Sequence, residues 1–170
     1  MYSLTIVSAA ILASSYFSSV VGLVPPSAGV PAGSAGSIIE PPAQLPVTSG
    51  DVIPFTYVNS NWCNEGYTPI TVYLSESEPA PGTLNGTGGF PEGTYTTFFG
   101  QFLIPNYGLK PLPGSVIVPE TLTIPTIAHL DVGSKIFLSV VETALAGACP
   151  PGSGVPAEYR FTTTDLIVAA

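Results

Sequence analysis

After its first 36 residues, the chain is built from short runs of β-branched and aromatic residues that end in glycine or proline. Of its 170 residues, 18 are glycine and 19 are proline, and clusters of turn formers stand in nearly every connection between the apolar runs. No window of this region shows a sustained helical periodicity. The pattern therefore predicts an all-β domain of short strands joined by tight turns.

Two of the apolar runs have patterns that predict their place in a sheet. Residues 70–75 alternate apolar and polar side chains, which is typical of a half-buried strand, whereas residues 134–143 are apolar on both faces, which is typical of a central strand. Pro54 cannot donate a ladder hydrogen bond, so it predicts an edge position or a bulge, and Gly100 predicts a bend. The seven predicted strands are 37–40, 51–58, 70–75, 93–104, 120–124, 134–143 and 159–168.

The predicted fold is an antiparallel β-sandwich of about seven strands, of the immunoglobulin or fibronectin type III kind. A closed barrel is the alternative. The domain is expected to span residues 37–170, which is long enough for one hydrophobic core.

Residues 1–22 have the properties of a secretory signal peptide. They carry no charged side chain, and an apolar core over residues 6–13 is followed by small residues. Residues 23–36 are rich in proline, glycine, alanine and serine and predict an extended, flexible linker. The apolar C-terminal segment 166–170 is too short for a lipid-anchor signal. We therefore expect a secreted protein without a stable membrane anchor.

The charge of the chain excludes several classes of partner. Charged residues make up 8% of the chain, against about 25% in an average globular domain, and the net charge is −8. The three cations, Lys110, Lys135 and Arg160, are too scattered to form a basic face, so binding to nucleic acid or to an anionic membrane is not expected. Glu142, at the end of the predicted central strand, is expected to pair with Arg160 or Lys135.

The two cysteines, Cys63 and Cys149, are expected to form one disulfide. An even number of cysteines in a secreted protein favours this pairing, and two free buried thiols are the alternative. The remaining soft metal ligand is the single histidine, His129, so neither a metal site nor a cofactor is predicted. Asn85-Gly86-Thr87 is an N-glycosylation sequon in a glycine-rich loop.

No motif in the sequence predicts catalysis. His129 would have to serve as the base of a serine hydrolase, but the chain has no G-x-S-x-G motif. Glu76 and Glu78 lie on one face at a strand end, where paired carboxylates can hydrolyse a glycosidic bond. Dispersed acids on so small a domain are usually solvated, so no catalytic residue is predicted.

Aromatic side chains in loops are the candidates for ligand contact. Aromatic faces stack on sugar rings, and tyrosine adds a hydroxyl group. Strand alternation buries about half of the aromatic residues, which leaves Tyr67 and Tyr107, each close to a glycine, and Trp62, beside Cys63. A role as a core or loop anchor is the alternative for each of these three residues.

The order of these segments resembles a family of small secreted fungal proteins. The segments are 50–57 (GDVIPFTY), 70–74 (ITVYL), the aromatic strand that contains Tyr95, 133–142 (GSKIFLSVVE) and a final strand with Phe161 and Thr162. The order and spacing of these strands are distantly similar to those of the immunoglobulin-like N-terminal domain of the Kre9/Knh1 cell-wall glucan-synthesis family. The resemblance implies an immunoglobulin-like fold and a place at the cell wall, and it supplies no catalytic motif.

These observations lead to one expected function and two alternatives. We predict a secreted, non-enzymatic β-sandwich that acts at the cell wall or extracellular matrix and binds a neutral glycan. A secreted protein-interaction module, such as an effector or an inhibitor, is the first alternative. A glycan-active hydrolase is the second.

Overall fold

Every regular element that the structure describes is a β-strand. The computed structural model describes residues 35–60, 66–80, 82–144 and 157–170, and these ranges contain no helix. The prediction of an all-β domain is confirmed for these residues. The predicted signal peptide, most of the predicted linker, Trp62, Cys63 and Cys149 lie outside the described residues. The strands are β1 (Ser37–Glu40), β2 (Leu45–Val47), β3 (Val52–Pro54), β4 (Thr56–Val58), β5 (Tyr67–Ser75), β6 (Thr97–Pro105), β7 (Thr121–Thr123), β8 (Lys135–Ala144) and β9 (Glu158–Val168).

Five strands form the largest sheet, in the order β2-β9-β8-β5-β6. Its pairs are antiparallel except for β2 with β9, which is parallel. β8 lies at the centre, as its apolar sequence predicted, and its Ile136, Leu138 and Val140 side chains are fully buried. A central strand is covered on both faces and has no free backbone edge. An almost uncharged sequence is therefore suitable at this position.

The remaining strands pair in two short antiparallel sheets, β1 with β4 and β3 with β7. Only Phe55 separates β3 from β4, and its amide donates a hydrogen bond to the Glu120 carbonyl (2.8 Å) just before β7. The predicted strand 51–58 is therefore present, with a break directly after Pro54. Proline was expected to disturb the ladder at this position.

One hydrophobic core joins the three sheets. The short sheets contribute alternate residues of β3, β4 and β7, and the five-stranded sheet contributes one face of β5, β8 and β9. Each fully buried aliphatic side chain adds roughly 1.5–3 kcal/mol relative to an exposed one. The completely buried members of this core include Val47, Ile70, Val72, Leu74, Ile136, Leu138, Val140 and Leu166.

A second, smaller apolar cluster covers the opposite face of the five-stranded sheet. Tyr73 on β5 lies at its centre, with the Phe90 ring 4.8 Å away and the Tyr95 ring 5.1 Å away between centroids. Both partners belong to the long connection between β5 and β6. Gly88 of this connection has a φ of 79°, and a Cβ atom there would overlap the Tyr159 ring. The connection is thus packed onto the sheet by aromatic residues.

Several details of the strands differ from the sequence prediction. β5 begins at Tyr67 instead of residue 70. β2 was missed because a three-residue strand that contains Pro46 has no alternating pattern. β6 begins at Thr97 instead of residue 93, because the residues before it form turns. The predicted irregularity at Gly100 is confirmed, since this glycine has a φ of 141° and the pairing of β6 with β5 shifts register beside it.

Candidate functional site

A cleft opens where β5 ends at Ser75. The residues that follow β5 form one side, and the turn that leads into β6 forms the other. The cleft has a volume of about 460 Å³, and ligand pockets commonly measure about 300–1,000 Å³. Two carboxylates, three threonine hydroxyls and a tyrosine ring line it together with smaller residues: Glu76, Ser77, Glu78, Pro79, Ala80, Thr83, Gly93, Thr94, Tyr95 and Thr96.

The wall formed by residues 93–96 is held against the sheet. Thr96 donates two hydrogen bonds to the Leu74 carbonyl, one from its amide (2.8 Å) and one from its hydroxyl (3.0 Å). The neighbouring Tyr95 ring packs on Tyr73. Because these contacts fix the wall to the sheet, binding in the cleft would cost little conformational entropy.

Charged residues surround the cleft. His129 Nε2 lies 2.9 Å from Glu76 Oε1, although the two residues are 53 positions apart in the chain. Lys135 Nζ lies 2.9 Å from Asp165 Oδ2. This hydrogen bond raises the pKa of Lys135 and lowers the pKa of Asp165, and the charge of Glu78 raises the pKa of Lys135 further. Glu76 and Glu78 are both solvent-exposed, so they offer hydrated carboxylate oxygens as hydrogen-bond acceptors.

The opposite end of the five-stranded sheet contains a buried carboxylate. Glu142 is 0% exposed. Its Oε1 accepts a hydrogen bond from the Ser60 amide (2.7 Å), and its Oε2 accepts one from the Ser60 hydroxyl (2.6 Å). Of the two cations expected to pair with Glu142, Lys135 pairs with Asp165 at the other end of the sheet. Arg160 lies directly opposite Glu142 on β9, and its Nη2 is 3.7 Å from Glu158 Oε2. Sequence alone could not identify Ser60 as the partner, because the two residues are 82 positions apart.

Gly36, directly before β1, lies against this carboxylate. A Cβ atom on Gly36 would lie 2.6 Å from the Tyr57 hydroxyl oxygen and 2.7 Å from Glu142 Oε1, and it would overlap the Val58 carbonyl oxygen. Real Cβ atoms do not approach other atoms so closely, so only glycine fits here. The Tyr57 hydroxyl is buried in the same place and makes no hydrogen bond of good geometry with a described residue.

A buried hydrogen-bond network lies at the same end of the fold. Asn59 Nδ2 donates to Asn106 Oδ1 (2.5 Å) and to Thr68 Oγ1 (3.2 Å), and the Thr68 hydroxyl donates to Asn106 Oδ1 (2.8 Å). The three side chains join the end of β4, the start of β5 and the end of β6. Buried polar groups that satisfy one another in this way fix a local conformation. We assign this end of the fold a structural role.

We expect the free energy of unfolding of the Tyr57→Phe variant to fall less at alkaline pH than that of the wild-type protein. Burial raises the pKa of Tyr57 above its ordinary value of 10.0, and the Glu142 carboxylate raises it further. The unfolded chain releases this proton near pH 10 and the folded protein keeps it. The stability contributed by the neutral Tyr57 is therefore fully present below about pH 10 and is lost as the pH rises, and the loss amounts to about 1.4 kcal/mol at pH 11.

Urea denaturation at pH 7 and between about pH 9.5 and 11 measures this difference. The exposed Tyr107 provides the control for the substitution itself, since Tyr107→Phe should leave the stability at pH 7 unchanged. A Tyr57→Phe profile as steep as that of the wild-type protein would contradict the assignment.

The loop aromatics predicted to contact a ligand do not line the cleft. The prediction that Tyr67 lies in a loop was wrong, because it is the first residue of β5 and pairs with Pro105. It is half-buried, and its hydroxyl donates to the Lys110 carbonyl (2.8 Å), so it anchors the connection that follows β6. Tyr107 is exposed and has a φ of 49°, and it lies in the same connection. Trp62 lies outside the described residues, as do both cysteines of the predicted disulfide. The aromatic residue at the cleft is Tyr95, which the sequence had placed within a strand.

The predicted glycosylation site lies in an exposed turn. Asn85 Oδ1 accepts hydrogen bonds from the Thr87 amide (2.9 Å), the Thr87 hydroxyl (2.7 Å) and the Gly89 amide (3.0 Å). The Asn85 side chain thus organises its own loop and is accessible to solvent. Modification of this asparagine stays a prediction.

Comparisons with known proteins add no assignment. Protein-family models, curated proteins and solved structures were compared with the chain, and none of them matches it. Within the described ranges, no three His, Cys, Asp or Glu residues are grouped so that they could hold a metal ion. The same ranges contain no helix with the length and hydropathy needed to cross a membrane. The proposed function therefore rests on the geometry of the cleft.

Proposed function

We propose that the protein is a secreted, immunoglobulin-like β-sandwich that binds a neutral glycan in the cleft beyond β5. The observation that carries the proposal is the lining of this cleft, which combines exposed carboxylates, threonine hydroxyls and one tyrosine ring in a preformed cavity. The site is a different one from the loop tyrosines that the sequence favoured.

The strand connections support an immunoglobulin-like sandwich. The chain pairs β1 with β4 and then crosses to pair β2 with β9, so the first two strands belong to different sheets. The remaining order, β9-β8-β5-β6 in one layer and the separate pairs β1-β4 and β3-β7 in the other, supports a resemblance to the two-sheet pattern of immunoglobulin variable-type domains. The shared core between the layers fits a sandwich better than a closed barrel.

The chemistry of the cleft favours a neutral polyhydroxylated ligand. Sugar hydroxyls donate hydrogen bonds to carboxylates such as Glu76 and Glu78, and threonine hydroxyls can donate or accept. Hydrogen bonds to ionised groups contribute about 1.5–3 kcal/mol each, which is enough for weak binding of one or two sugar units. The net charge of −8 would repel an acidic polysaccharide.

Binding without hydrolysis is the better interpretation of the two glutamates. A general acid in a glycoside hydrolase is usually enclosed in apolar surroundings that keep it protonated. Glu76 and Glu78 are both exposed to water, and Glu76 is in contact with His129. We therefore keep the non-enzymatic role. The predicted export and the resemblance to a cell-wall family favour wall or matrix glycans as the source of the ligand.

The double variant Glu76→Gln/Glu78→Gln is expected to weaken glycan binding about tenfold or more, because it removes two charge-assisted acceptors. The measurement is retention on insoluble β-glucan and chitin, followed by titration with soluble oligosaccharides from the retained polymer. Both side chains are exposed, so the variant should fold like the wild-type protein.

Glu120→Gln is the matched control, since Glu120 is an exposed glutamate outside the cleft. Retention of the double variant equal to that of the control would rule out the cleft as the binding site. Absence of binding by the wild-type protein to both polymers would rule out the glycan proposal. Release of reducing sugar during the assay would favour the hydrolase alternative.

A second candidate function is protein binding by the connection between β6 and β7. This segment carries several exposed apolar side chains, with Val116 63% and Ile117 69% exposed, and Leu109 and Leu112 about half exposed. Exposed apolar patches of this kind mark protein interaction sites. Co-purification of a protein from culture fluid by the wild-type chain, with loss of that protein from Val116→Ser/Ile117→Ser, would support it.

A further inference from the structure

The turn around Asn85 directs three hydrogen-bond donors at one side-chain oxygen. Asn85 Oδ1 accepts from the Thr87 amide (2.9 Å), the Thr87 hydroxyl (2.7 Å) and the Gly89 amide (3.0 Å). The backbone of the turn is closed as well, since the Asn85 amide donates to the Gly89 carbonyl (2.8 Å) and the Gly88 amide donates to the Asn85 carbonyl (3.0 Å). Two backbone amides and one hydroxyl that converge on a single carbonyl oxygen have the arrangement of an oxyanion hole.

The backbone nitrogen next to this carbonyl group is accessible. Gly86 is exposed, and its amide donates no hydrogen bond to a described residue. Glycine has no Cβ atom that could obstruct an attack by its nitrogen on the Asn85 side chain. Asn85 is also the only asparagine of the chain that a glycine follows. An exposed nitrogen nucleophile and a polarised carbonyl carbon therefore occur together at this one asparagine.

We propose that Asn85 is a site of spontaneous deamidation, which the turn itself promotes. The Gly86 nitrogen loses its proton to hydroxide and attacks Asn85 Cγ, which places a negative charge on Oδ1. The Cγ–Nδ2 bond then breaks, and ammonia leaves with a proton from water, so that a succinimide ring remains. Water opens this ring at either of its two carbonyls and leaves aspartate or isoaspartate. The inference is independent of the glycan-binding proposal, since it uses no residue of the cleft.

The three donors stabilise the intermediate more than they stabilise the asparagine. Oδ1 is neutral in the side-chain amide and carries a full negative charge in the tetrahedral intermediate. Hydrogen bonds to an ionised acceptor are roughly twice as strong as those between neutral groups. The donors on Thr87 and Gly89 are already in place before the reaction, so they need no rearrangement as the charge develops. The turn therefore lowers the barrier to the attack by Gly86.

Deamidation competes with glycosylation for the same side chain. An N-linked glycan is attached to the asparagine amide nitrogen, and neither aspartate nor isoaspartate retains that nitrogen. Aspartate keeps an oxygen that can accept all three hydrogen bonds, so the turn around residue 85 should persist with an added negative charge. Isoaspartate adds a methylene group to the main chain and should change the turn. The modification that occurs first thus decides the chemistry of this loop.

Gly86→Ala is expected to slow deamidation of Asn85 by about tenfold, because the added methyl group obstructs the attacking nitrogen. A Cβ atom at this position meets no atom within 4 Å, so the variant should fold like the wild-type protein. The full chain, produced in a host without N-glycosylation, is incubated at mildly alkaline pH. Peptide mass spectrometry then measures the small mass gain and the isoaspartate content. Asn59 and Asn106, which are buried, are the internal controls and should stay unmodified in the same sample.

A pair of substitutions at Thr87 tests the contribution of the turn. Thr87→Val removes the hydroxyl donor and should slow the reaction by at least about threefold, whereas Thr87→Ser keeps the hydroxyl and should react like the wild-type protein. Thr87 is exposed, so neither change should disturb the fold. No more modification at Asn85 than at Asn59 and Asn106 overturns the proposal. Equal rates for the valine and serine variants overturn the role of the turn as an oxyanion hole.

Discussion

Replacement of Glu142 by alanine is expected to lower the free energy of unfolding by about 3 kcal/mol. The carboxylate is completely buried and accepts both hydrogen bonds that Ser60 donates. Alanine would leave the Ser60 amide and hydroxyl without their acceptor and would create a cavity beside Tyr57. Urea denaturation followed by circular dichroism measures the change as a lower midpoint at unchanged slope.

The Glu142→Gln variant distinguishes the stability contributed by the hydrogen bonds from that contributed by the negative charge. Glutamine keeps the shape, and its oxygen can still accept from the Ser60 amide while its amide donates to the Ser60 hydroxyl. We therefore expect a loss of only about 1 kcal/mol. Equal losses for alanine and glutamine would mean that the charge dominates, and an unchanged stability of the alanine variant would contradict the structural role.

Leu138→Ala is expected to cost about 3 kcal/mol of stability, because it leaves a cavity at the centre of the core. Leu138 is fully buried on the central strand and lies between Leu74 of β5 and Thr164 of β9. Neighbours on both sides prevent the backbone from closing the gap. For a folded domain of this size, the thermal midpoint should fall by roughly 10 °C.

Leu112→Ala provides the matched control for this second change. Leu112 is 45% exposed, so the same substitution there should alter stability by less than about 0.5 kcal/mol. Thermal unfolding followed by circular dichroism compares the two variants directly. Similar midpoints for the two alanine variants would show that the core is not centred on β8.

The strands were predictable because their signals are local. The apolar run in 134–143 predicted the central strand β8, and alternation in 70–75 predicted that β5 is a strand. The prediction that β5 is only half-buried was wrong, because the aromatic cluster around Tyr73 covers its second face. Pro54 and Gly100 indicated irregular positions because each restricts or frees its own backbone. The three-residue strand β2 gave no such signal, since its pairing with β9 depends on where the chain returns after more than one hundred residues.

The candidate site was predictable only in part. The sequence indicates Glu76 and Glu78 as a pair of acids at a strand end, but it predicts Tyr95 within a strand and favours Tyr67 and Tyr107 for ligand contact. His129 was assigned to a loop, and its contact with Glu76 spans 53 positions. No periodicity within either segment encodes such a contact.

The sequence by itself determined the all-β character of the chain and the central position of β8, because backbone preference and burial act on neighbouring residues. Only the tertiary structure decided which side chains meet: Glu142 with Ser60, Glu76 with His129, and the threonines and Tyr95 around one cleft. These contacts depend on how strands that are distant in sequence pack together and on the register in which they pair. Hydrogen-bond geometry then selects one side chain among several that could chemically serve as the partner.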